Sequence, residues 1–309
     1  MRALAALLVA FVLVSAPSEE PTRFATLRIP ELVEASGLAA SPSRPGVYWA
    51  LNDSAGAGVA RNLLYAFDAR GELLAAWEVT GATNIDWEDL GALPGRGNEP
   101  GALIIADIGD TSAERRENRY TLYRVREPAI GPPQQPARGR VAVEQAWSFR
   151  YPDRRRDAES LLVDPKDGSL YVVEKPPADA VERQAEGDVL ARCGVYEIPT
   201  ASGESPATAV LRTTLAIRYR YGLGAIATGG AVAPDRSRVA VRTYRLALVY
   251  PVPAGRPLWE AFLRAPRRIE LPFEPQGEAI AFEPQGHALL TLSEAVFGWN
   301  SVWRIPLPR

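Results

Sequence analysis

The stretch ESLLVDPKDGSLYVVEK, residues Glu159 to Lys175, contains the pattern that decides the fold. Two short, mostly apolar runs flank the turn residues Asp167 and Gly168. Apolar runs of this length on either side of a turn signal are typical of two antiparallel strands. The first run opens on a glutamate and closes on Pro165, six residues later. The stretch therefore predicts a strand, a tight turn and a second strand.

The same pattern occurs five times along the chain. Each copy has a mostly apolar run closed by proline six residues after its first residue, then turn residues, then a second apolar strand. The spacing of about 50 to 70 residues between copies indicates a repeat architecture. The five copies begin at Ser36, Glu88, Glu159, Thr228 and Glu278.

Further strands complete each repeat. A third apolar run follows the pair in every unit, and a fourth follows it in the first four units. A spare run, Phe24–Pro30, precedes the first unit. We therefore predict an all-β fold, a β-propeller of five four-stranded blades in which the N-terminal strand completes the last blade. Six blades would require one more between Thr111 and Asp157. The segment Asp179–Cys193 is interpreted as a loop insertion that holds at most a helical turn.

The first residues form a candidate export signal. Arg2 precedes the apolar run Ala3–Val14, and small residues follow it, with Pro17 as an unfavourable neighbour of the cleavage point. The run is short for a membrane span. We expect residues 1–18 to be a signal peptide, residues 19–309 to be a single propeller domain, and the protein to be exported to the periplasm or the medium. An uncleaved anchor is the alternative.

The composition argues against several classes of function. The net charge is −2 and no basic tail is present, so nucleic acid is not an expected partner. One cysteine, Cys193, and one histidine, His287, are too few for a typical zinc site. His287 falls in a turn on the face opposite the predicted site, which argues against a Ser-His-Asp mechanism. We expect a monomer with a small-molecule or anionic substrate and no membrane span in the mature chain.

Acidic residues recur at equivalent places in the repeat. In a propeller blade the first strand lines the central channel and the second runs antiparallel to it. The start of the first strand and the end of the second therefore lie on one face, where their acidic side chains would meet at one mouth of the channel. These residues are Asp86, Glu88, Asp157, Glu159 and Glu278 at the starts, and Asp53, Asp107, Glu174 and Glu294 at the ends.

So many carboxylates in one place need compensation. Two like charges at 4 Å repel by on the order of 1 kcal/mol even in water, and by more when partly buried. Calcium takes six to eight oxygen ligands and suits such a ring. We therefore predict a calcium site; the alternative is that the carboxylates bond backbone amides of neighbouring blades and clamp the propeller. The predicted ligands are Asp86, Glu88, Asp107, Asp157, Glu159 and Glu278.

Three residues are candidates for chemistry at this mouth. Asp53 or Glu174 could act as a general base. Arg242 is the basic residue among the repeated positions, and it could hold an anionic group or neutralise the carboxylates around it. The first hypothesis is a metal-assisted hydrolase of ester or phosphoester bonds. The second is a non-catalytic binding or scaffold propeller in which calcium is purely structural.

Several phrases of the sequence resemble exported bacterial propellers of the phytase-like esterase and SdiA-regulated groups. The phrases are EASGLAAS, DWEDLG, IADIGD and DAESLLVDP, and the resemblance covers most of the mature chain. It implies a calcium-dependent propeller that hydrolyses phosphate or other esters. Two positions depart from the pattern, namely Trp87 after Asp86 and Thr228 where a glutamate is expected. The residues that match the acidic motifs are Glu34, Asp86, Glu88, Asp157 and Glu159.

Overall fold

The computed structural model describes residues 20–53, 62–97, 99–110, 115, 117–176, 180–183, 187–201, 203–220, 222–298 and 300–308. The predicted signal peptide at residues 1–18 lies outside these ranges. No helix in the described ranges has the length and apolar character needed to span a membrane.

The described strands form five blades, each with four antiparallel strands counted outward from the central channel; the outermost strands of blades 1 and 2 also pair in parallel, which joins these two blades into one sheet. The first strand, β1 (Thr22–Thr26), belongs to the last blade. Blade 1 consists of β2 (Ala35–Ala40), β3 (Val47–Asn52), β4 (Leu63–Asp68) and β5 (Leu73–Thr80). Blade 2 consists of β6 (Trp87–Leu93), β7 (Ala102–Asp107), β8 (Tyr120–Arg126) and β9 (Ala137–Arg150).

The remaining three blades follow the same order from the channel outward. Blade 3 consists of β10 (Ala158–Val163), β11 (Leu170–Glu174), β13 (Asp188–Ile198) and β15 (Val210–Arg220), with β12 (Val181–Arg183) beside the first part of β13, on the edge that β11 occupies farther along. Two residues, β14 (Ala207–Thr208), pair with β9 of blade 2. Blade 4 consists of β16 (Ala227–Val232), β17 (Arg238–Thr243), β18 (Leu246–Pro251) and β19 (Arg267–Glu270). Blade 5 consists of β20 (Gly277–Phe282), β21 (Ala288–Ser293), β22 (Ser301–Pro306) and β1.

The innermost strands close a ring around the channel. Strand β2 contacts β6 and β20, and β10 and β16 complete the circle between them. The N-terminal strand β1 pairs antiparallel with β22, from Thr22 opposite Arg304 to Thr26 opposite Ser301. This confirms the predicted five-bladed β-propeller and its closure by the N-terminal strand. The described part of the region 111–157, where a sixth blade was the alternative, supplies β8 and β9 of blade 2.

The hydrophobic core lies between adjacent blades. Trp49 and Trp87 are fully buried in the cluster between blades 1 and 2. Between blades 2 and 3, the ring of Tyr151 packs edge-on against Tyr120 and Tyr196, with centroid distances of 5.0 and 4.8 Å. Aromatic side chains bury large areas each and prefer such edge-on contacts. The blades are thereby fixed against one another, which fixes the positions of the channel-facing residues.

The interpretation of Asp179–Cys193 as a loop insertion is wrong for part of the segment. Val181–Arg183 form β12 and the residues from Asp188 onward begin β13, whereas Ala180 and Gly187 belong to 3-10 helical turns, which agrees with the expected helical turn. Strand β11 pairs with β13 only from Val195 onward, so the first residues of β13 extend past the end of β11. Cys193 lies buried in this extension. Because β11 ends at the predicted mouth, the first residues of β13 project beyond β11 and lie beside that mouth.

Candidate functional site at the acidic mouth

The same β-bulge occurs near the start of the innermost strand in all five blades. In each blade the register shifts around a single residue that has no partner on the second strand. A bulge leaves one residue outside the ladder and redirects its side chain, and bulges are common beside active sites. The bulged residues are the ones that open the sequence repeat: Ser36, Glu88, Glu159, Thr228 and Glu278.

The five bulged side chains have two different roles. The Ser36 hydroxyl donates to the carbonyl of Trp87 at 2.8 Å, and the Thr228 hydroxyl donates to the carbonyl of Gly277 at 3.1 Å. Each of these bonds ties a blade to the next one. The three glutamates turn toward the channel instead. Carboxylate oxygens of Glu88, Glu159 and Glu278 come within 4.8 Å of one another.

Two further groups, each of three carboxylate residues, overlap this central trio. Asp86 and Asp157 join Glu88 on the side of blades 2 and 3. Asp53 and Glu294 join Glu278 on the side of blades 5 and 1. In each group one oxygen per residue lies within 4.8 Å of the others. Because Glu88 and Glu278 each belong to two groups, the three groups form one continuous row across the mouth, which we call the acidic row.

Glu88 is a buried member of this row, and other carboxylates surround it. The residue is 5% accessible to solvent, and no described residue donates a hydrogen bond to its carboxylate. Burial, followed by the charges of Glu159 and Asp86, raises its pKa well above the ordinary glutamate value. Gly109 leaves room beside it, since a Cβ there would overlap the carboxylates of Glu88 and Asp86.

Burial also raises the pKa values of the other members of the row. The pKa of Asp53 rises to about 8 because burial and the charges of Glu34 and Glu278 disfavour its ionised form. The pKa of Glu278 rises to about 8, and that of Glu294 to about 7, mainly through burial. Each shift favours the uptake of a proton near neutral pH in the absence of a bound cation.

Lys175 supplies a positive charge at the edge of the row. Its ammonium group pairs with Glu159 and lies 3.5 Å from Asp157. Burial still raises the pKa of Glu159 to about 8, although Lys175 opposes that shift. One lysine therefore leaves most of the row's negative charge uncompensated.

A basic pocket adjoins the acidic row. It has a volume of about 220 Å³, shares Asp157 with the row and includes Lys175. Arg156 is held in place by Asp153, at 2.6 Å, and by Glu174. The side chain of Arg155 is 39% exposed and lies 3.6 Å from Asp110. The pocket is lined by Arg154, Arg155, Arg156, Asp157, Glu174, Lys175 and Pro176.

Two predicted site residues lie at the mouth but are committed to other partners. Asp107 accepts the backbone N–H of Asp86 at 3.0 Å and forms a buried ion pair with Arg115. Among the described residues it belongs to none of the three carboxylate groups. Glu174 accepts the N–H of Gly194 at 2.9 Å and pairs with Arg156. Both carboxylates are therefore engaged in ion pairs with arginines and are not members of the acidic row.

The prediction that Arg242 belongs to the mouth is wrong. Arg242 stands opposite Gly229, and the residue that corresponds to Asp107 and Glu174 is Thr243, opposite Ala227. A shift of one residue along a strand moves a side chain to the other face. The Arg242 guanidinium is fully buried against blade 5, donates to the carbonyl of Ala279 at 2.8 Å and pairs with Glu274 at 2.6 Å.

Sequence analysis assigned no role to Lys175 or to the arginines of the basic pocket, and it placed Glu294 at the mouth without making it a predicted ligand. Lys175 and Glu294 follow directly after the second strands of their blades, as Asp53 does. Alignment of the repeats at the bulge would also have placed Lys175 at the mouth. His287 lies exposed in the turn before β21, on the opposite face, where the sequence placed it.

Comparisons with known proteins identify no family for this chain. The sequence matches no protein-family profile and no curated protein. Among solved structures, the chain is similar to the WD40 repeats of RRP9, with 12% sequence identity and a TM-score of 0.37 over 89% of this chain and 67% of that one. The fold is a five-bladed β-propeller. That statement rests on the strand pairing described above, and the neighbour's own function is not transferred.

Proposed function

We propose that the acidic row binds calcium and that the protein is an exported propeller that uses this ion to hydrolyse an ester or phosphoester. The observation that carries the proposal is Glu88. The residue is 5% accessible to solvent, and no described residue donates a hydrogen bond to its carboxylate. Because burial of an unpaired charge is costly, this carboxylate requires either a cation that offsets its charge or a proton that removes it.

The donor set of the row suits calcium. The described donors are carboxylate oxygens, with no histidine or thiol among the three groups. Hard oxygen donors favour calcium or magnesium, and the larger, more flexible coordination of calcium tolerates an irregular row better than the octahedron of magnesium. The first ion would lie among Asp86, Glu88 and Asp157, where Gly109 leaves space. When bound, it would polarise a substrate oxygen or a water molecule.

The chain also offers a base and an anion holder. Burial raises the pKa of Asp53 to about 8, and its buried Oδ1 has no hydrogen-bond partner among the described residues. A carboxylate with a pKa near the working pH is suited to accept a proton from water. Arg154 and Arg155 of the basic pocket, rather than Arg242, would hold the anionic part of a substrate, since guanidinium groups bind carboxylate and phosphate in a bidentate manner.

The resemblance of the acidic motifs to phytase-like and SdiA-regulated exported propellers supports the same assignment. A non-catalytic calcium-binding propeller is the second candidate. The observation that favours it is the ion pair of Glu174 with Arg156, which leaves Asp53 as the remaining predicted base; Asp107, a predicted calcium ligand, is likewise paired with Arg115.

The test combines a calcium titration with a turnover assay. Metal-free protein is titrated with calcium in a calorimeter, and a panel of ester, phosphoester and lactone substrates is assayed with calcium and with chelator. We expect saturable binding and turnover that the chelator abolishes. Folded protein that binds no calcium at millimolar concentration would refute the site. Calcium binding without turnover of any substrate would refute the hydrolase and leave the binding propeller.

A further inference from the structure

The opposite end of the channel holds an apolar cavity of about 290 Å³. Each of the five repeat prolines lines it, so the motif that closes every first strand also builds one ring around this end of the channel. We call it the proline pocket. The ring consists of Pro42, Pro94, Pro165, Pro234 and Pro284. The walls between the prolines are mostly aliphatic, with one aromatic side chain, and include Leu38, Ala40, Ala92, Val163, Val232 and Phe282.

Asp89 lies between the acidic row and the proline pocket along β6. This fully buried carboxylate accepts the N–H groups of Leu90 at 2.8 Å, Leu161 at 2.7 Å and Gly230 at 3.1 Å. Those three donors come from three different blades, and all three residues line the pocket. Asp89 stands between Glu88 and Leu90 on β6, so these hydrogen bonds join blades 2, 3 and 4 at a level between the acidic row and the proline pocket.

The size of the pocket sets the size of its occupant. An engineered apolar cavity of about 150 Å³ in another protein stays dry and binds benzene. The proline pocket has about twice that volume. It therefore has room for an apolar body of about a dozen non-hydrogen atoms, near the lower limit of ordinary ligand pockets. Proline rings and bulky aliphatic walls have few conformations to lose, so the pocket is formed before the ligand arrives.

The charge of the lining sets the chemistry of one end of that occupant. Among the described lining residues, Arg44 is the charged one. Its Nη1 lies 3.1 Å from Glu127 Oε2, in an ion pair that leaves Nη1 without a described hydrogen-bond partner. Glu127 is itself held by Ser41 and by the indole N–H of Trp49 at 2.9 Å. The pair fixes the guanidinium at the rim, where 35% of its side chain is exposed and its other donors face no described acceptor.

We propose that the proline pocket binds a small carboxylic acid with an apolar body. The body lies among the prolines and aliphatic side chains, where its burial stabilises the complex. The carboxylate lies at the rim against Arg44, which offers the charge-assisted hydrogen bonds that fix its orientation. This site is independent of calcium and of the hydrolase proposed for the other mouth.

The test uses 2-naphthoate as the probe, titrated into full-length protein in the presence of chelator so that calcium cannot bridge it to the acidic row. We expect saturable binding, with 2-naphthylmethanol about tenfold or more weaker because it has no charge for Arg44. Acetate, which has the charge without the body, is expected not to bind. Arg44→Gln is expected to weaken naphthoate about tenfold and to leave 2-naphthylmethanol unchanged.

Variants that fill the pocket provide the second arm. Ala92→Phe and Ala40→Phe each add a ring to the lining and are expected to abolish naphthoate binding, with thermal melts to establish that they fold. Absence of saturable naphthoate binding to the wild-type protein at millimolar concentration overturns the proposal. Equal binding by two folded filled variants places the probe elsewhere and also overturns it. Equal affinity for the acid and the alcohol overturns the role of Arg44 and the choice of a carboxylic acid.

Discussion

Replacement of Glu88 by Gln is expected to stabilise the calcium-free protein and to weaken its binding of calcium. Both effects follow from one observation, the burial of this carboxylate among four others without a described hydrogen-bond donor. In the absence of a cation, the raised pKa of Glu88 favours the protonated form of its carboxyl group in the native protein. The amide of glutamine resembles that protonated form in shape and carries no charge at any pH.

The size of the stabilisation follows from proton linkage. The unfolded chain releases the proton of Glu88 near the ordinary glutamate pKa of 4.5, whereas the folded chain keeps it to a much higher pH. For the neighbouring Glu159 and Glu278, whose pKa values are about 8, holding such a proton costs about 1.4 kcal/mol per pH unit, or about 3 kcal/mol at pH 7, and we take this as the scale for Glu88. Glutamine avoids this cost, but its buried amide would lack hydrogen-bond partners, and this offsets part of the gain in stability. We expect a net gain of roughly 1–3 kcal/mol in the free energy of unfolding.

The same linkage fixes the pH dependence. A carboxyl group whose folded pKa is raised binds more protons in the folded state, so its contribution to stability decreases as the pH rises from the unfolded pKa to the folded one. For Asp53, Glu159 and Glu278 this interval ends at about pH 8. The calcium-free protein is therefore expected to lose stability steadily between about pH 5 and 8, and Glu88→Gln is expected to reduce that slope.

The assay is urea denaturation in chelator at several pH values, repeated with saturating calcium. Glu144→Gln is the matched control. Glu144 lies on the outer strand β9, away from the mouth, and pairs with Arg124 and Arg126 of β8. The control is expected to change neither the slope nor the response to calcium. A loss of stability in calcium-free Glu88→Gln would contradict the reasoning, because it would mean that the ionised carboxylate is satisfied by the protein itself.

Three further outcomes are expected. Gly109→Ala should weaken calcium binding at least tenfold in titration calorimetry, because its Cβ would overlap the carboxylates of Glu88 and Asp86; Gly203→Ala, which meets no atom within 4 Å, should have no effect. Arg242→Ala should lose about 3–5 kcal/mol in urea denaturation, because it leaves Glu274 buried and unpaired; a loss below about 1 kcal/mol would contradict the structural role. Deletion of the chain through Pro30 removes β1 and should lower the melting temperature and promote association through the exposed edge of β22; an unchanged melt would refute the closure.

The repeat was readable because each blade repeats both its strand pattern and its bulge. An apolar run closed by proline marks the first strand, and the acidic residue that opens the run proved to be the bulged one in three blades. Glu88, Glu159 and Glu278 were predicted for this reason, and the structure brings them together. Whether they hold calcium stays a prediction.

The ends of the second strands were harder to predict. Side chains alternate between the two faces of a strand with a period of two residues. The position predicted for Arg242 is off by one residue, so its side chain lies on the buried face rather than at the mouth. Asp107 and Glu174 were placed at the mouth, but their partners Arg115 and Arg156 lie in connections between strands. Such connections vary between blades, so the repeat carries no information about which charges they bring to the site.

The central claim is that the acidic row takes up a cation in exchange for protons. The most direct measurement is calorimetric titration of metal-free protein with calcium near pH 7 in buffers of different ionisation enthalpy, which gives both the affinity and the number of protons released. We expect saturable binding with the release of at least one proton, because the carboxyl groups of Glu88, Glu159 and Glu278 have raised pKa values and must ionise to bind the ion. Folded protein that shows no saturable heat with millimolar calcium, or that binds calcium without releasing protons, would contradict the account.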